Sequence, residues 1–518
     1  MAGFINALSS ELLENYNESV TENGAVGYRT TGKELLDLNF AVSSLRYATD
    51  VEIAKRFSNA FYENKLLAMK WMFFARDVRG GLGERRLFRI ALKFLAENAP
   101  VYIDRLIPLI AEYGRFDDLL CLLDYERFVP TVGNLVKTQL EADIDNYMDN
   151  KPISLLAKWM PSVNASSAET KRYAKILRKF LGLNEKQYRK TLSDLRKYLD
   201  VVEVKMSAGK WGDIKYEAVP SRANLFYNRA FLRNDEQRRR EFLAKLERGE
   251  AKINSSVLYP HDIVHKYGTD WGLLGKYDTA LEAMWKGLPD VVGGNGNTIV
   301  VADGSGSMTC TVGNSSVTAL EVANALAIYF AEHSSGEFKD KYITFSMRPH
   351  LVDFSHAESL HDKLAIASQH TECSNTNIEA VFNLILDTAL RNRMKQEDMP
   401  ANILIISDME FDECAMYGSY DVNRWNGGGH RVNANLFKEI KKKYEAAGYK
   451  LPRLVFWNVN SRTGTIPIRE NDLGVALVSG FSVNVCKMVM SGELDPFKCL
   501  LETLNSERYQ PVEDAIHG

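Results

Sequence analysis

The pattern of apolar residues changes near residue 292, and this change limits the fold more than any other feature of the chain. Before it, apolar residues recur every three or four positions, as in NKLLAMKWMFFARDV and RRLFRIALKFLAENAP, a spacing typical of amphipathic helices. After it, short β-rich runs alternate with helical segments. The β-rich runs are NTIVVAD, KYITFS, HLVDF, NILIISD, RLVFWNV and GVALVSG. Continuous apolar strands separated by helices indicate a mostly parallel sheet covered on both faces.

The sequence therefore predicts an α + α/β protein with two domains. We expect an α-helical, solenoid-like module of stacked helix pairs over residues 1–292. A Rossmann-like α/β domain is expected over residues 293–518. No fixed-period repeat is visible, so the helical module is predicted to be irregular. The segment GGNGN precedes a strand instead of following one, so we interpret it as the junction between the domains and not as a dinucleotide loop.

The composition excludes several classes of protein. The chain is 45% hydrophobic and 25% charged with a net charge of −3, which is ordinary for a globular protein. It has no run of about 18 apolar residues, so we expect no membrane-spanning helix. The first twenty residues lack the basic start and apolar core of a secretion signal. Six scattered cysteines without a CxxC pair argue against disulfides and zinc. We therefore predict a cytoplasmic protein.

Oxygen-bearing side chains are predicted to meet at the carboxyl end of the sheet, where open α/β sheets bind ligands. Asp303, Ser305 and Ser307 follow the first strand directly, Thr376 precedes a helix, and Asp408 follows a later strand. Carboxylates and hydroxyls without imidazole or thiolate suit Mg²⁺, or alternatively Mn²⁺ or Ca²⁺. The serines could instead only cap the next helix. Three loops that converge on one edge favour the metal site.

Catalytic sites that use similar loops fit less well. A nucleophile elbow needs glycine two residues before Ser305, where Asp303 stands, and the GK[ST] of a P-loop is absent. His261 and His265 have the spacing of a helical metal pair, but no glutamate lies between them as in HExxH, so we expect a structural role. No general base is paired with a nucleophile in the sequence, and we expect no catalysis. A Mg²⁺-dependent phosphoester hydrolase ranks third, behind two binding functions.

Positive charge is concentrated in residues 171–240, which hold 19 Lys and Arg against 8 Asp and Glu in a chain of net charge −3. Such a concentration is typical of surfaces that bind phosphate backbones, although the charges could also lie on a solvated helix face. Tyr173, Tyr188 and Tyr198 are candidates to stack on unpaired bases. The predicted RNA-binding residues are Lys171, Arg172, Lys175, Arg178, Lys179, Lys186, Arg189, Lys190, Arg196 and Lys197, with Arg76, Arg79, Arg85 and Arg86 as a second patch.

The pattern Asp303-Gly-Ser305-Gly-Ser307, with Thr376 and Asp408, resembles the metal-ion-dependent adhesion site of von Willebrand factor A domains. The resemblance implies that Ser305, Ser307 and Thr376 contact the metal directly. Asp303 and Asp408 would act largely through waters. One coordination position would remain for an acidic residue of a protein partner.

The helical half resembles the TROVE module of Ro-type ribonucleoproteins. The segments that carry this resemblance are FFARDVRGGLGERRLFR, EYGRFDDLL, SLLAKWMPS and residues 188–221. KYGTDWGLLGKYDTALEAMW, LIISDMEFD, VFWNVN and GVALVSGFS are similar to a Ro-like family with the same two halves. The resemblance, over about residues 40–510, implies a helical ring closed against a von Willebrand factor A domain. It implies a non-catalytic protein that holds structured or misfolded non-coding RNA, including single-stranded ends, on a basic helical surface. The alternative function is a metal-dependent module that binds an acidic residue of a protein partner.

Overall fold

A computed structural model of the protein describes residues 16–23, 26–268, 274–292, 297–345, 349–370, 377–411, 436–467, 474–485 and 495–517. The chain forms two compact units. The first, which we call the sheet unit, comprises Met1–Thr49, Tyr259–Tyr277 and Pro289–Thr503. The second, the helical unit, comprises Asp50–Leu258, Asp278–Leu288 and Leu504–Gly518. Within the described ranges, no helix has the length and apolar character needed to cross a bilayer.

The strands of the described residues form a two-stranded and a six-stranded sheet. Their bounds are β1 Glu18–Val20, β2 Val26–Tyr28, β3 Thr298–Asp303, β4 Lys341–Phe345, β5 His350–Asp353, β6 Asn402–Ser407, β7 Arg453–Asn458 and β8 Val475–Ser479. The larger sheet has the order β5-β4-β3-β6-β7-β8. All its neighbouring strands are parallel except the antiparallel pair β4 and β5. Each of the six predicted β-rich runs contains one of these strands, and the mostly parallel sheet is confirmed.

The helices dominate the first half of the chain and alternate with strands in the second. Their bounds are α1 Glu34–Phe40, α2 Asp50–Glu63, α3 Lys65–Arg76, α4 Arg85–Asn98, α5 Pro100–Leu106, α6 Ile110–Tyr113, α7 Val129–Met148, α8 Leu156–Trp159, α9 Ala168–Phe180, α10 Glu185–Tyr198, α11 Val202–Ser207, α12 Ser221–Asn234, α13 Glu236–Glu247, α14 Pro260–Tyr267, α15 Thr279–Lys286, α16 Ala319–His333, α17 Leu360–Gln369, α18 Ile378–Asn392, α19 Leu436–Ala446, α20 Pro496–Leu504 and α21 Gln510–His517. The predicted order of a mainly helical first half and an α/β second half is confirmed.

The two units do not follow the chain in a simple order. The predicted boundary at residue 292 lies close to Pro289, where the longest segment of the sheet unit begins. However, Met1–Thr49 and Tyr259–Tyr277 also belong to the sheet unit, and Leu504–Gly518 belongs to the helical unit. Each unit is therefore completed by segments that are distant in sequence.

The strands β1 and β2 are an exception to the predicted helical character of residues 1–292. They form an antiparallel hairpin, and Tyr28 exchanges two backbone hydrogen bonds of 2.8 Å with Ile466. A Cβ atom on Gly27 would lie 2.6 Å from the Ile466 carbonyl oxygen, so only glycine permits this approach. Because the hairpin is held by a segment far along the chain, local periodicity could not reveal it.

Burial in the sheet unit centres on the parallel strands. β3, β7 and β8 are buried along their whole length, as expected for a parallel sheet between layers of helices. Helix α16 packs on β3, β4 and β6. It begins with a capping box, in which Thr318 Oγ1 accepts from the Glu321 amide and Glu321 Oε2 accepts from the Thr318 amide at 2.7 Å. This box satisfies two amides at the helix start and fixes the position of Glu321.

The core of the helical unit surrounds α3, which is buried from Ala68 to Arg76. Helices α2, α4 and α21 pack on it. The guanidinium of Arg76 lies 2.7 Å from the Asp118 carboxylate, and both side chains are almost fully buried. Asp118 also accepts from Arg89 Nε at 2.8 Å. Because buried charges require partners, this cluster fixes how the segment around Asp118 packs on α3.

Candidate functional site

Two of the predicted carboxylates meet at one edge of the large sheet. Asp303 is the last residue of β3, and Asp408 follows β6 directly. These strands are parallel neighbours, with Ala302 opposite Ile406. Their carboxyl ends therefore lie side by side, and the charges of Asp303 and Asp408 interact directly. This edge is where open α/β sheets bind ligands.

The loop after β3 is held by short hydrogen bonds around Asp303. Its Oδ1 accepts from the Ser305 amide at 2.9 Å, and its Oδ2 accepts from Ser407 Oγ at 2.6 Å. The hydroxyl oxygens of Ser305 and Ser307 lie 3.0 Å apart. Ser407 was not among the predicted site residues, because its contact with Asp303 depends on the pairing of two strands. We call Asp303, Ser305, Ser307 and Asp408 the oxygen cluster.

Asp408 is buried and incompletely paired. Its Oδ1 accepts from the Glu410 amide at 3.3 Å, whereas its buried Oδ2 has no hydrogen-bond partner among the described residues. The nearest cation is Arg462, whose Nη2 lies 3.5 Å from Oδ2. A buried oxygen of this kind is costly unless something else binds it.

The electrostatics of the oxygen cluster also favour a bound cation. Burial, together with the neighbouring charge of Asp408, raises the pKa of Asp303 to about 7. Burial likewise raises the pKa of Asp408, against the opposing effects of Ser307 and Arg462. The charge of Asp408 disfavours the ionisation of Asp303, and a divalent cation beside the two carboxylates would favour the ionised form of both. The donor set consists only of oxygen, which fits Mg²⁺ or Ca²⁺.

The loop after β6 is anchored by a second buried carboxylate. Glu410 accepts hydrogen bonds from the amides of Glu22, Arg462 and Thr463 at 2.8 to 2.9 Å. Because amide donors satisfy it, Glu410 serves to place Arg462 near Asp408. The role of Glu410 could not be predicted from the sequence, since its donors come from separate segments of the chain.

One predicted member of the site is not placed. Thr376 lies outside the described residues. In the described ranges, no group of three or more His, Cys, Asp or Glu side chains is arranged to hold a metal. The oxygen cluster has only two carboxylates, so metal binding there would depend on the hydroxyls of Ser305 and Ser307.

The second candidate site is a basic surface on α9 and α10 of the helical unit. These helices start at side-chain caps, where Ser167 accepts from the Thr170 amide and Asn184 accepts from the Gln187 amide. Seven lysines and arginines on them are exposed and form no ion pair with any described residue. They are Lys171, Lys175 and Lys179 on α9, and Lys186, Arg189, Lys190 and Lys197 on α10. We call these seven residues the basic surface.

Two clefts adjoin beside α10. The first has a volume of about 820 Å³, and its basic lining residues are Arg85, Arg86, Arg89, Lys93, Lys158 and Arg196. The second has a volume of about 980 Å³, and Lys186, Arg189, Lys190 and Lys197 of the basic surface line it. Both clefts are also lined by Ser162 and Arg196. The two predicted basic patches are therefore continuous at the surface of one unit.

Two of the predicted RNA-binding arginines instead have structural contacts. Arg76 is 2% exposed and paired with Asp118, so it is not placed to reach a phosphate. Arg196 donates to the carbonyls of Ala157 and Met160, both at 2.8 Å, and burial lowers its pKa. The prediction is corrected for both residues, because their guanidinium groups hold neighbouring segments together.

Other predicted arginines have partners but remain near the surface. Arg79 pairs with Glu112, Arg85 with Asp117, Arg86 with Asp50 and Arg172 with Asp124, while Arg178 donates to the Leu183 carbonyl. RNA would have to compete with these partners. For the seven residues of the basic surface, RNA would not have to displace an ion-pair partner among the described residues.

The tyrosines predicted to stack on bases are mostly packed. Tyr173 and Tyr188 are 5% and 1% exposed, and their hydroxyls bond to Asp124 and to the Pro161 carbonyl. Tyr198 is half-buried against Tyr147. The stacking prediction is wrong for Tyr173 and Tyr188, which occupy core positions of the amphipathic helices α9 and α10.

Both halves of the chain match known protein families. Residues 21–124 and 123–290, together more than half of the chain, match a domain of unknown function, DUF2828. The chain belongs to the DUF2828 family. Residues 297–510 match a second domain of unknown function, DUF7788. The uncharacterised protein L728 of Acanthamoeba polyphaga mimivirus is 29% identical over 544 residues, which cover 96% of this chain and 89% of that protein.

Proposed function

We propose that this DUF2828-family protein is a Ro-like RNA-binding protein that holds structured or misfolded non-coding RNA on its helical unit. The observation that supports this proposal is the cleft lined by Lys186, Arg189, Lys190 and Lys197, which adjoins the arginine-lined cleft. The TROVE character of the helices, their closure into a ring and a cytoplasmic location belong to the same proposal.

The charge arrangement explains why RNA is favoured over a smaller anion. On α10, Lys186, Lys190 and Lys197 recur at intervals of four and seven residues, so they lie along one face of the helix. A line of unpaired cations can follow a phosphate backbone, and each phosphate contact releases condensed counterions. Such contacts are insensitive to base sequence, which suits structured RNA of varied sequence.

The first prediction concerns RNA affinity. Replacing Lys186, Arg189, Lys190 and Lys197 by Glu should weaken binding of a structured non-coding RNA by orders of magnitude. The plot of log affinity against log salt should also flatten by about 0.7 to 0.9 for each phosphate that the variant no longer binds. Filter binding or fluorescence anisotropy at several salt concentrations measures both quantities.

In a matched control, Glu replaces four exposed lysines of the helical unit that line neither cleft. These are Lys55, Lys65, Lys245 and Lys252. The control has the same change in net charge, so it separates local binding from general repulsion. If both variants bind RNA equally weakly, or if the α10 variant keeps the original salt dependence, the proposed RNA surface is wrong.

A second proposed function rests on the oxygen cluster. Here we propose a von Willebrand factor A-type adhesion site, in which the hydroxyls of Ser305 and Ser307 would bind Mg²⁺ and an acidic residue of a protein partner would complete the coordination. The buried Oδ2 of Asp408 supports this proposal, because it has no hydrogen-bond partner among the described residues. Asp303 would hold the loop and balance the charge of the cation. Binding, and not catalysis, is the role proposed for this cluster.

The second prediction concerns the metal. Asp303→Asn should abolish the heat of Mg²⁺ binding in titration calorimetry, because the variant loses one of the two negative charges in the oxygen cluster. Asp387→Asn, at an exposed position on α18, is the control and should bind Mg²⁺ like the wild type. Unchanged affinity in Asp303→Asn would exclude the metal site.

One experiment separates the two functions. The intact protein is captured with and without EDTA, and its bound RNA and proteins are identified by sequencing and mass spectrometry. RNA that stays bound in EDTA supports the basic surface as the binding site. A protein partner that is released by EDTA, and that Asp303→Asn fails to capture, supports the oxygen cluster.

A further inference from the structure

Three polar side chains of the sheet unit form a chain of hydrogen bonds away from the oxygen cluster. His265 Nδ1 lies 2.9 Å from Glu321 Oε1, and His265 Nε2 lies 3.0 Å from Ser316 Oγ. Carboxylate, imidazole and hydroxyl follow one another in the order used by serine hydrolases. The sequence predicted a structural role for His265, because no glutamate lies between it and His261 as in HExxH. Its two partners lie about 50 residues away, and no local pattern connects them.

The carboxylate of this group is held rigidly. Glu321 uses Oε2 to cap α16 through the Thr318 amide, which leaves Oε1 for His265. A Cβ atom on Gly268 would lie 2.9 Å from Glu321 Oε1. The backbone therefore approaches this carboxylate so closely that a larger residue than glycine would clash with it. Burial raises the pKa of Glu321, but hydrogen bonds from His265 and Thr318 outweigh this effect and hold the pKa below its usual value.

The hydroxyl is accessible. Ser316 is exposed and lies in a turn closed by a hydrogen bond of 2.8 Å from the Val312 amide to the Val317 carbonyl. The Ser316 amide donates no hydrogen bond to any other described residue. It is therefore free to polarise a substrate carbonyl, as the nucleophile's own amide does in serine proteases.

We infer that Ser316, His265 and Glu321 form a metal-independent acyl-transfer site that acts on carboxylic esters. Ser316 Oγ attacks the ester carbonyl carbon while its proton passes to His265 Nε2. The tetrahedral intermediate collapses, the C–O bond to the alcohol breaks, and the alcohol leaves with that proton. Water, deprotonated by His265, then hydrolyses the acyl-serine and regenerates the hydroxyl. Glu321 is a positioning residue that keeps the proton on Nδ1, so that Nε2 can accept.

This site does not depend on the proposed RNA-binding or metal-binding functions, since it shares no residue with either. Because Ser316 is exposed at the surface, the expected substrates are small or activated esters that approach from solvent. Its position in the turn before α16 differs from the strand-to-helix turn of a nucleophile elbow, which explains why the usual sequence pattern is absent.

The test uses the intact protein, a fluorophosphonate probe and 4-nitrophenyl acetate. We expect the probe to label Ser316, as located by mass spectrometry of the tryptic peptides, and Ser316→Ala to remove both the label and ester hydrolysis. His265→Gln should lower the labelling rate by about 100-fold or more, the usual contribution of a general base. Glu321→Gln keeps an oxygen for the Thr318 amide but can present N–H to His265, which favours the wrong tautomer, so its labelling should also fall.

Matched controls are Ser335→Ala and His356→Gln, which change an exposed serine and an exposed histidine elsewhere in the sheet unit. Both should react like the wild type, and melting curves establish that all variants are folded. Labelling at another residue, full hydrolysis by folded Ser316→Ala, or loss of hydrolysis in EDTA would each overturn the inference. Labelling of Ser316 that persists in EDTA and falls in His265→Gln supports it.

Discussion

Asp303 shows how a single residue of the oxygen cluster links function to stability. Its pKa is about 7 in the folded protein, against an ordinary value of 3.8. Between these values the folded carboxyl keeps its proton and the unfolded one loses it, so the free energy of unfolding contributed by this residue falls as pH rises from about 4 to about 7. This destabilisation of the folded protein by Asp303 is absent below about pH 4 and reaches its full size above about pH 7.

The third prediction follows from this loss of stability with rising pH. In EDTA, Asp303→Asn cannot ionise, so the variant should lose less stability than the wild type as pH rises from about 4 to about 7. Urea denaturation across this range measures the difference, and Asp387→Asn again serves as the control. If the free energy of unfolding changes equally with pH in the wild type and in Asp303→Asn, Asp303 is not held protonated by burial and Asp408.

At the residue scale, the sequence predicted best the side chains whose positions follow from strand order. Asp303 and Asp408 could be brought together in advance because both lie at the ends of parallel strands. Ser407 could not be assigned, because strand register decides which hydroxyl meets Asp303. Arg76 looked like a surface cation in the sequence, since nothing local shows that Asp118 neutralises it in the core.

At the scale of elements, the packing of α7 against α9 depends on one glycine. A Cβ atom on Gly133 would lie 2.5 to 2.7 Å from three ring atoms of Phe180. The fourth prediction is that Gly133→Ala separates these helices and lowers the free energy of unfolding by about 1 to 3 kcal/mol, as measured in urea. Gly212→Ala, which meets nothing within 4 Å, should be nearly neutral. Equal stability of the two variants would mean that the helices adjust freely.

The elements differ in how well the sequence revealed them. The large sheet was predictable strand by strand, because each buried strand is an unbroken apolar run between helices. The antiparallel course of β5 and the hairpin of β1 and β2 were not, since direction and edge pairing depend on distant partners. Helices α9 and α10 were recognisable by their periodicity, yet that periodicity also buries Tyr173 and Tyr188.

At the scale of the whole molecule, the last segment completes the helical unit. Asp77 is fully buried and accepts from Arg508 Nε at 2.8 Å and Nη2 at 3.0 Å. On α21, Glu513 lies 2.5 Å from the buried ammonium of Lys70. The fifth prediction is that Arg508→Ala lowers the free energy of unfolding by about 2 to 3 kcal/mol, because it leaves the Asp77 carboxylate buried with fewer donors.

Hydrogen exchange locates this destabilisation. Amides of α3 should exchange faster in Arg508→Ala, because Asp77 directly follows that helix. Arg391→Ala, at an exposed position on α18, is the control and should leave exchange unchanged. Wild-type protection of α3 in Arg508→Ala would show that the pairing is dispensable.

The order of segments has a consequence for synthesis on the ribosome. Residues 50–258 leave the ribosome well before Leu504–Gly518, which complete the same unit. At about 5 to 20 residues per second, the intervening chain takes roughly 12 to 50 s to make. During that interval Asp77 lacks its partner Arg508, and Lys70 lacks its partner Glu513. The charges of these two side chains are therefore incompletely paired in the nascent chain. Folding of this unit cannot finish before Leu504–Gly518 has been made, and chaperones that bind nascent chains have tens of seconds in which to act.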